Sequence, residues 1–281
     1  MTIPQSKSDI LIEADELAAL LANGADVVIL DARYDVGDPA LRPKTVLAHI
    51  PGAIYVDLAT ELAGVQTLDS GRRPLPDIRD LQRDARRWGI NRGSQVVIYD
   101  GAKNVQAARA WWVLRWAGVE SARLLNGGFK AWIAAGQPTA TDIALPATGD
   151  VELSAGHMPV VDANGSAAVA RSGALLDARD AKAYAGDPTK PNTGHIPGAQ
   201  SVPAPGSLDA DGRFRDPADL QARFAEIDGA QSGNVATYCG AGVAGAHLIV
   251  ALKLAGIDAA LYPGSWSAWT SDAERPIEQG T

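Results

Sequence analysis

The chain has 281 residues, 46% of them hydrophobic and 21% charged. That length suggests about two domains of ~150 residues each, and the balance excludes global disorder. With 25 Lys and Arg against 33 Asp and Glu, the net charge of −8 gives no electrostatic footprint for nucleic acid or anionic lipid. No run approaches the ~20 apolar residues of a membrane helix. The first residues lack the charged and apolar regions of a secretory leader. One cysteine, Cys239, excludes an intramolecular disulfide and any multi-cysteine metal site, and it fits a reducing compartment. A cytoplasmic protein with no metal and no cofactor is expected.

In chain order, a helix is predicted over 15–21, with Asp15 as its cap or opening residue. The apolar run 27–30 reads as a buried parallel strand. It leads into Asp31-Ala32-Arg33 and then His49-Ile50-Pro51-Gly52-Ala53, a turn in which Pro fixes φ and Gly permits φ > 0. A second buried strand is predicted at 96–99 and a helix at 106–116, ending at Gly118. Residues 136–147, rich in Pro, Thr and Ala, read as a linker.

Beyond the linker the chain repeats itself. Leu175-Leu176-Asp177-Ala178-Arg179 and His195-Ile196-Pro197-Gly198-Ala199 each follow their first copies by 146 residues. Ala236-Thr237-Tyr238-Cys239-Gly240 matches Val97-Ile98-Tyr99-Asp100-Gly101. Gly264-Ser265-Trp266-Ser267-Ala268-Trp269 matches Gly127-Gly128-Phe129-Lys130-Ala131-Trp132. Four matches in one order indicate an ancestral duplication. The expected units are 1–142 and 150–281, each an α/β domain with a parallel sheet flanked by helices.

In such sheets, sites form where strands end and loops lead into helices. The second copy places Cys239 at that point, after a strand at 235–238. The loop Gly240-Ala241-Gly242-Val243-Ala244 follows, then a helix predicted over 245–255 with Gly256 as its cap. Two glycines let backbone N–H groups turn inward as an anion-binding nest, and the helix dipole adds to it. A thiolate there is nucleophilic. A small buried core residue is the competing reading of a lone cysteine, outweighed by strand end, Gly-rich loop and helix start together. The first copy has Asp100 at this point, so at most one copy does thiol chemistry.

These features together resemble the tandem-domain rhodanese family, sulfurtransferases of the thiosulfate or 3-mercaptopyruvate type. The resemblance covers nearly the whole chain and includes the terminal Arg275-Pro276-Ile277-Glu278. It implies two rhodanese-like α/β domains, the first inactive. It also implies a persulfide on Cys239 at the domain interface. The loop is similar to the mercaptopyruvate pattern C-G-S-G-V-T at Cys239, Gly240, Gly242 and Val243. Ala241 stands where that pattern has serine, and the two basic residues of the thiosulfate pattern C-R-K-G-V-T are absent. The family's arginine after D-[AS]-R falls at Ala183, with Lys182 or Lys190 as substitutes.

Among other candidates, His195 is read as structural. His49 is balanced between a turn residue and the family's N-domain histidine, with Asp35 or Asp38 as its aspartate. His247 is read as a packing histidine. Arg72 and Arg73 are candidates to face the cleft and attract an anion, though loop arginines are usually just solvated. The tryptophans at 111, 112 and 116 are read as core and interface packing. The expected reaction moves a sulfane sulfur from a small anionic donor to a thiol, cyanide or a reduced thioredoxin-like protein. The alternative is a non-catalytic binding or sulfur-relay module. A cysteine phosphatase is disfavoured, because no arginine closes the loop.

Overall fold

The structure, a computed structural model, describes residues 7–33, 48–67, 69–142 and 144–280. The first half runs α1 (Lys7–Ile10), β1 (Leu11–Ile12), α2 (Ala14–Ala22), β2 (Val27–Asp31) and β3 (Ile54–Tyr55). It continues with α3 (Ile78–Arg87), β4 (Gln95–Tyr99), α4 (Val105–Trp116), β5 (Ala122–Leu125) and α5 (Gly128–Ala134). The second half runs α6 (Ala163–Ser172), β6 (Ala174–Asp177), α7 (Ala181–Ala185), β7 (Gln200–Ser201), a 3-10 turn (Ala204–Ser207) and α8 (Pro217–Ala225). It closes with β8 (Val235–Tyr238), α9 (Val243–Leu254), β9 (Ala260–Leu261) and α10 (Ser265–Trp269).

Each half builds its own parallel sheet, in the order β1-β5-β4-β2-β3 and β7-β6-β8-β9. Read backwards, the second order is the first without its edge strand. A lone parallel bridge between Val160 and Leu261 stands where β1 pairs β5 in the first copy. The register is also repeated. Asp31, the last residue of β2, lies opposite Tyr99, and Asp177, the last of β6, lies opposite Tyr238.

That register explains the duplicated D-A-R. Arg33 forks onto Asp31 with Nε 2.9 Å from both carboxylate oxygens, and the Tyr99 hydroxyl donates to Asp31 Oδ2 at 2.7 Å. Arg179 forks onto the fully buried Asp177 in the same way, with Nε at 3.0 Å and Nη2 at 2.5 Å. The tyrosine hydroxyls then accept the Ile50 and Ile196 amides of the two H-I-P-G-A turns. Each guanidinium lies over an aromatic ring, Phe129 or Trp266, at 4.5 and 4.6 Å. A buried carboxylate needs such a bidentate partner. The motif is therefore a clasp that ties strand end, turn and the last helix of each domain.

Two helix starts differ from expectation. Glu13, not Asp15, stands at the N-cap of α2 and makes no side-chain capping bond; Asp15 lies in the first turn, where its charge suits the helix dipole. α9 begins at Val243, two residues earlier than predicted, because Gly242 takes φ +75° and turns the chain at once. A Cβ at Gly242 would also meet the Pro263 carbonyl at 2.6 Å.

The two halves meet chiefly through α4 and α9. Both helices are apolar on nearly every side, so both are buried between sheet and partner helix. Trp111 and Trp112 are fully buried on α4 and Trp116 nearly so, as core residues.

Candidate active site

Cys239 follows the last residue of β8 and is 3% exposed. Its backbone is fixed on both sides. Its N–H donates to Ser265 Oγ at 3.2 Å, and its carbonyl accepts the Trp266 amide at 2.9 Å. The Gly240 carbonyl accepts the Ser267 amide at 3.1 Å. Ser265 takes φ +52°, unusual for a residue with a side chain, and it is fully buried. Its hydroxyl also donates to the Tyr262 carbonyl at 2.9 Å. The G-S-W segment is thus the floor on which the cysteine loop rests.

The same floor exists in the first copy. Phe129 and Lys130 donate to the Asp100 and Gly101 carbonyls at 2.7 and 3.0 Å. There the loop runs one residue longer before its left-handed turn, at Asn104 with φ +56° rather than at Gly242. The Asp100 carboxylate fills its own nest. Oδ1 accepts from the Ala102 and Asn104 amides at 3.1 and 2.9 Å, and Oδ2 from Gln106 and Ala107 at 3.0 and 3.4 Å. Burial raises the Asp100 pKa, and these four donors oppose that rise. The strand-to-helix loop of copy one therefore holds a carboxyl group on converging backbone N–H donors.

The N-terminal half also supplies cations beside Cys239. The connection before α3 crosses to the second half at Gly71, where φ is +75° and a Cβ would lie 2.4 Å from the Gly264 carbonyl. Next to it, the Arg72 guanidinium lies 3.1 Å from where a Cβ on Gly240 would stand. Arg72 is exposed. Arg109, in the middle of α4, is fully buried against the same loop, with Nη1 3.4 Å from the Gly242 carbonyl. Its Nη2 donates to the Arg73 and Pro74 carbonyls, both at 3.2 Å. Burial lowers the Arg109 pKa to about 10; the nearby Cys239 sulfur raises it and the Arg73 charge lowers it further.

The sequence-predicted residues thus separate. Cys239, its loop and Arg72 come together, and Arg73 lies behind them against Arg109. Lys182 projects exposed from α7, while Lys190 pairs with Asp187 at 3.2 Å; the cations at the loop come from the other domain. His49 sits in its turn, in a backbone bridge with Ala140. Asp35 and Asp38 lie outside the described residues. His195 stacks on Tyr184 at 3.8 Å with Nδ1 3.0 Å from the Tyr184 carbonyl, a structural place. His247 is fully buried against Phe214, with Nε2 3.1 Å from the Lys103 carbonyl, and burial lowers its pKa to about 4. Sequence reading missed Arg109, whose signal is a charge inside the apolar run Ala107-Ala108-Arg109-Ala110-Trp111-Trp112. Among the described residues, no cluster of three His, Cys, Asp or Glu can hold a metal, and no helix is long and apolar enough to cross a membrane.

The rhodanese-like domain profile matches the chain twice, at residues 13–135 and 163–272. The chain is 39% identical over 284 residues to a putative thiosulfate sulfurtransferase, SseB, of Mycobacterium tuberculosis, covering 99% of both chains. It is also 39% identical to a probable 3-mercaptopyruvate sulfurtransferase of Pseudomonas aeruginosa, covering 96% of this chain and 98% of that one. Among solved structures it is similar to SseA, a 3-mercaptopyruvate sulfurtransferase of Escherichia coli, with 27% identity, a TM-score of 0.78, and 92% and 98% of the two chains covered. Two profile matches in one chain, two sheets of one topology and full-length relatives agree: the chain belongs to the rhodanese-like family of sulfurtransferases, with the domain present in two copies.

Proposed function

We propose that the protein transfers a sulfane sulfur from a small anionic donor, thiosulfate or 3-mercaptopyruvate, through a persulfide on Cys239. The observation that carries this reading is the position of Cys239 at the head of α9, in the loop whose first-copy counterpart holds a carboxylate on four backbone N–H groups. In the second copy the residue at that point has a sulfur atom instead. The Cys239 thiolate attacks the outer sulfur of thiosulfate, the sulfur–sulfur bond of the donor breaks, and sulfite leaves with the electron pair. With mercaptopyruvate, the carbon–sulfur bond breaks and the thiol proton ends on carbon, giving pyruvate. In both cases the product is Cys239–S–S⁻, an anion suited to the loop N–H groups. The outer sulfur then passes to cyanide, a small thiol or a reduced protein thiol, and the Cys239 thiolate returns.

Arg72 supports binding of the donor's anionic end. The thiosulfate-type loop has a basic side chain at the position of Gly240; here an arginine of the first domain reaches the same space. Units 1–142 and 150–281 then divide the work, the first as scaffold and the second as carrier of the nucleophile. Ala241 has no hydroxyl, so a relay between His49 and Cys239 lacks its middle member. We also infer cytoplasmic residence, because a single cysteine with no disulfide partner fits a reducing compartment.

Intact mass after incubation with each donor tests the proposal. One added sulfur on the wild type and none on Cys239→Ser is expected. No added sulfur with either donor would leave a non-catalytic rhodanese-like binding module as the reading.

A further inference from the structure

We propose that Arg109, on α4 of the first domain, is a positioning residue: the fixed counter-charge of the Cys239 thiolate and persulfide. This rests on the persulfide reading above and deepens it.

An arginine with no exposed surface normally has a carboxylate partner, because burying a lone charge is unfavourable. Among the described residues Arg109 has none. Its neighbours are neutral carbonyls, of Leu62 at 3.5 Å, Arg73 and Pro74 at 3.2 Å, and Gly242 at 3.4 Å. Among the described residues its Nε–H has no acceptor. Arg73 adds a like charge nearby. Among the described residues, the group that acts on Arg109 with the opposite sign is the sulfur of Cys239. The carbonyls fix the guanidinium in place without neutralising it. Nη1 reaches the left-handed turn at Gly242, 3.2 Å from where a Cβ would stand, so Gly242 keeps this approach open. The interface of α4 with α9 thus carries a positive charge to the nucleophile's loop, although the nucleophile's own domain does not supply it.

Three neighbouring titratable groups have pKa values shifted away from the neutral range. His247, on α9, stays uncharged with a pKa of about 4. Tyr238, on β8, is pushed well above its usual value by burial and the Asp177 charge. Tyr262, before the G-S-W floor, is pushed up to about 12. None of these three groups titrates between pH 6 and 9, so the thiolate absorbance can be followed there without them.

The test reads the ultraviolet absorbance of the single thiolate against pH, with Cys239→Ser as blank, in the wild type, R109K and R109Q. A fixed opposite charge at short range lowers a thiol pKa by about one to three pH units. R109Q is expected to raise the Cys239 pKa by at least about one pH unit, a roughly 10-fold loss of thiolate near neutrality. R109K keeps the charge and stays near the wild type. If R109Q titrates like the wild type, or if R109K shifts as far as R109Q, the proposal is overturned. Should R109Q not fold, the Arg109 Nε–H resonance in nitrogen–proton NMR decides, identified by its loss in R109K. It is expected to move with the Cys239 titration and to stay fixed in Cys239→Ser; a resonance that ignores the titration overturns the proposal. Neither readout uses sulfur transfer, so failure here is separate from failure to load sulfur.

Discussion

The Arg72 amide donates to the Ser267 hydroxyl at 3.0 Å across the two domains, and the Ser267 amide donates to the Gly240 carbonyl at 3.1 Å. One serine therefore sets the first domain's arginine in register with the second domain's loop. Arg72→Gln keeps the backbone bond and removes the charge. A charge-assisted hydrogen bond contributes ~1.5–3 kcal/mol, and the exposure of Arg72 places it at the lower end. The expected result is a rise of about 10-fold in KM for thiosulfate with kcat changed much less. Steady-state kinetics check it; an unchanged KM removes Arg72 from the donor site.

Asp100→Ala leaves four backbone N–H groups of the first copy without their acceptor. The expected loss of stability is about 2–4 kcal/mol, since unsatisfied buried donors cost ~1–3 kcal/mol each and water refills part of the space left. Sulfur transfer per folded molecule is expected to stay within about 2-fold, the mark of a scaffold. Urea unfolding and activity on the same sample measure both. A folded variant with no activity would contradict the scaffold role.

Asp177→Asn breaks the second clasp and leaves Arg179 half-buried without its carboxylate. Removing one partner of a buried pair costs ~3–5 kcal/mol. The expected outcome is a strong fall in unfolding free energy with the Cys239 persulfide still formed at low temperature. Loss of persulfide from a fully folded variant would give the clasp a role in the chemistry.

His247 has a folded pKa of about 4, below the ~6.5 of an unfolded histidine. Between these values the unfolded chain binds the extra proton, so stability rises with pH across the window and falls on acidification through it. From pH 7 to pH 5 this one group is expected to remove about 2 kcal/mol. His247→Phe, beside Phe214, is expected to flatten that part of the pH profile. Urea melts at the two pH values compare the variants; equal slopes would show that His247 does not carry the loss.

Much of this was legible in the sequence. The repeated D-A-R and H-I-P-G-A segments carry the duplication, and buried strands announce themselves as short apolar runs wherever a parallel sheet is covered on both faces. Cys239 could be singled out because strand end, glycines and helix start are all local. The structure alone decided the surroundings of that sulfur. Arg109 and Arg72 lie far from Cys239 in the chain, and nothing in their neighbouring residues says which surface they will meet. A helix such as α4, apolar on nearly every side, has no amphipathic stripe to point to its partner. Only its packing on α9 turns the one charged residue in its middle toward the cysteine loop. Likewise, the acidic residue at position 100 says that the first copy lacks a thiol. That it occupies the anion nest itself follows from the fold, because nest and carboxylate meet only when strand, loop and helix are in place.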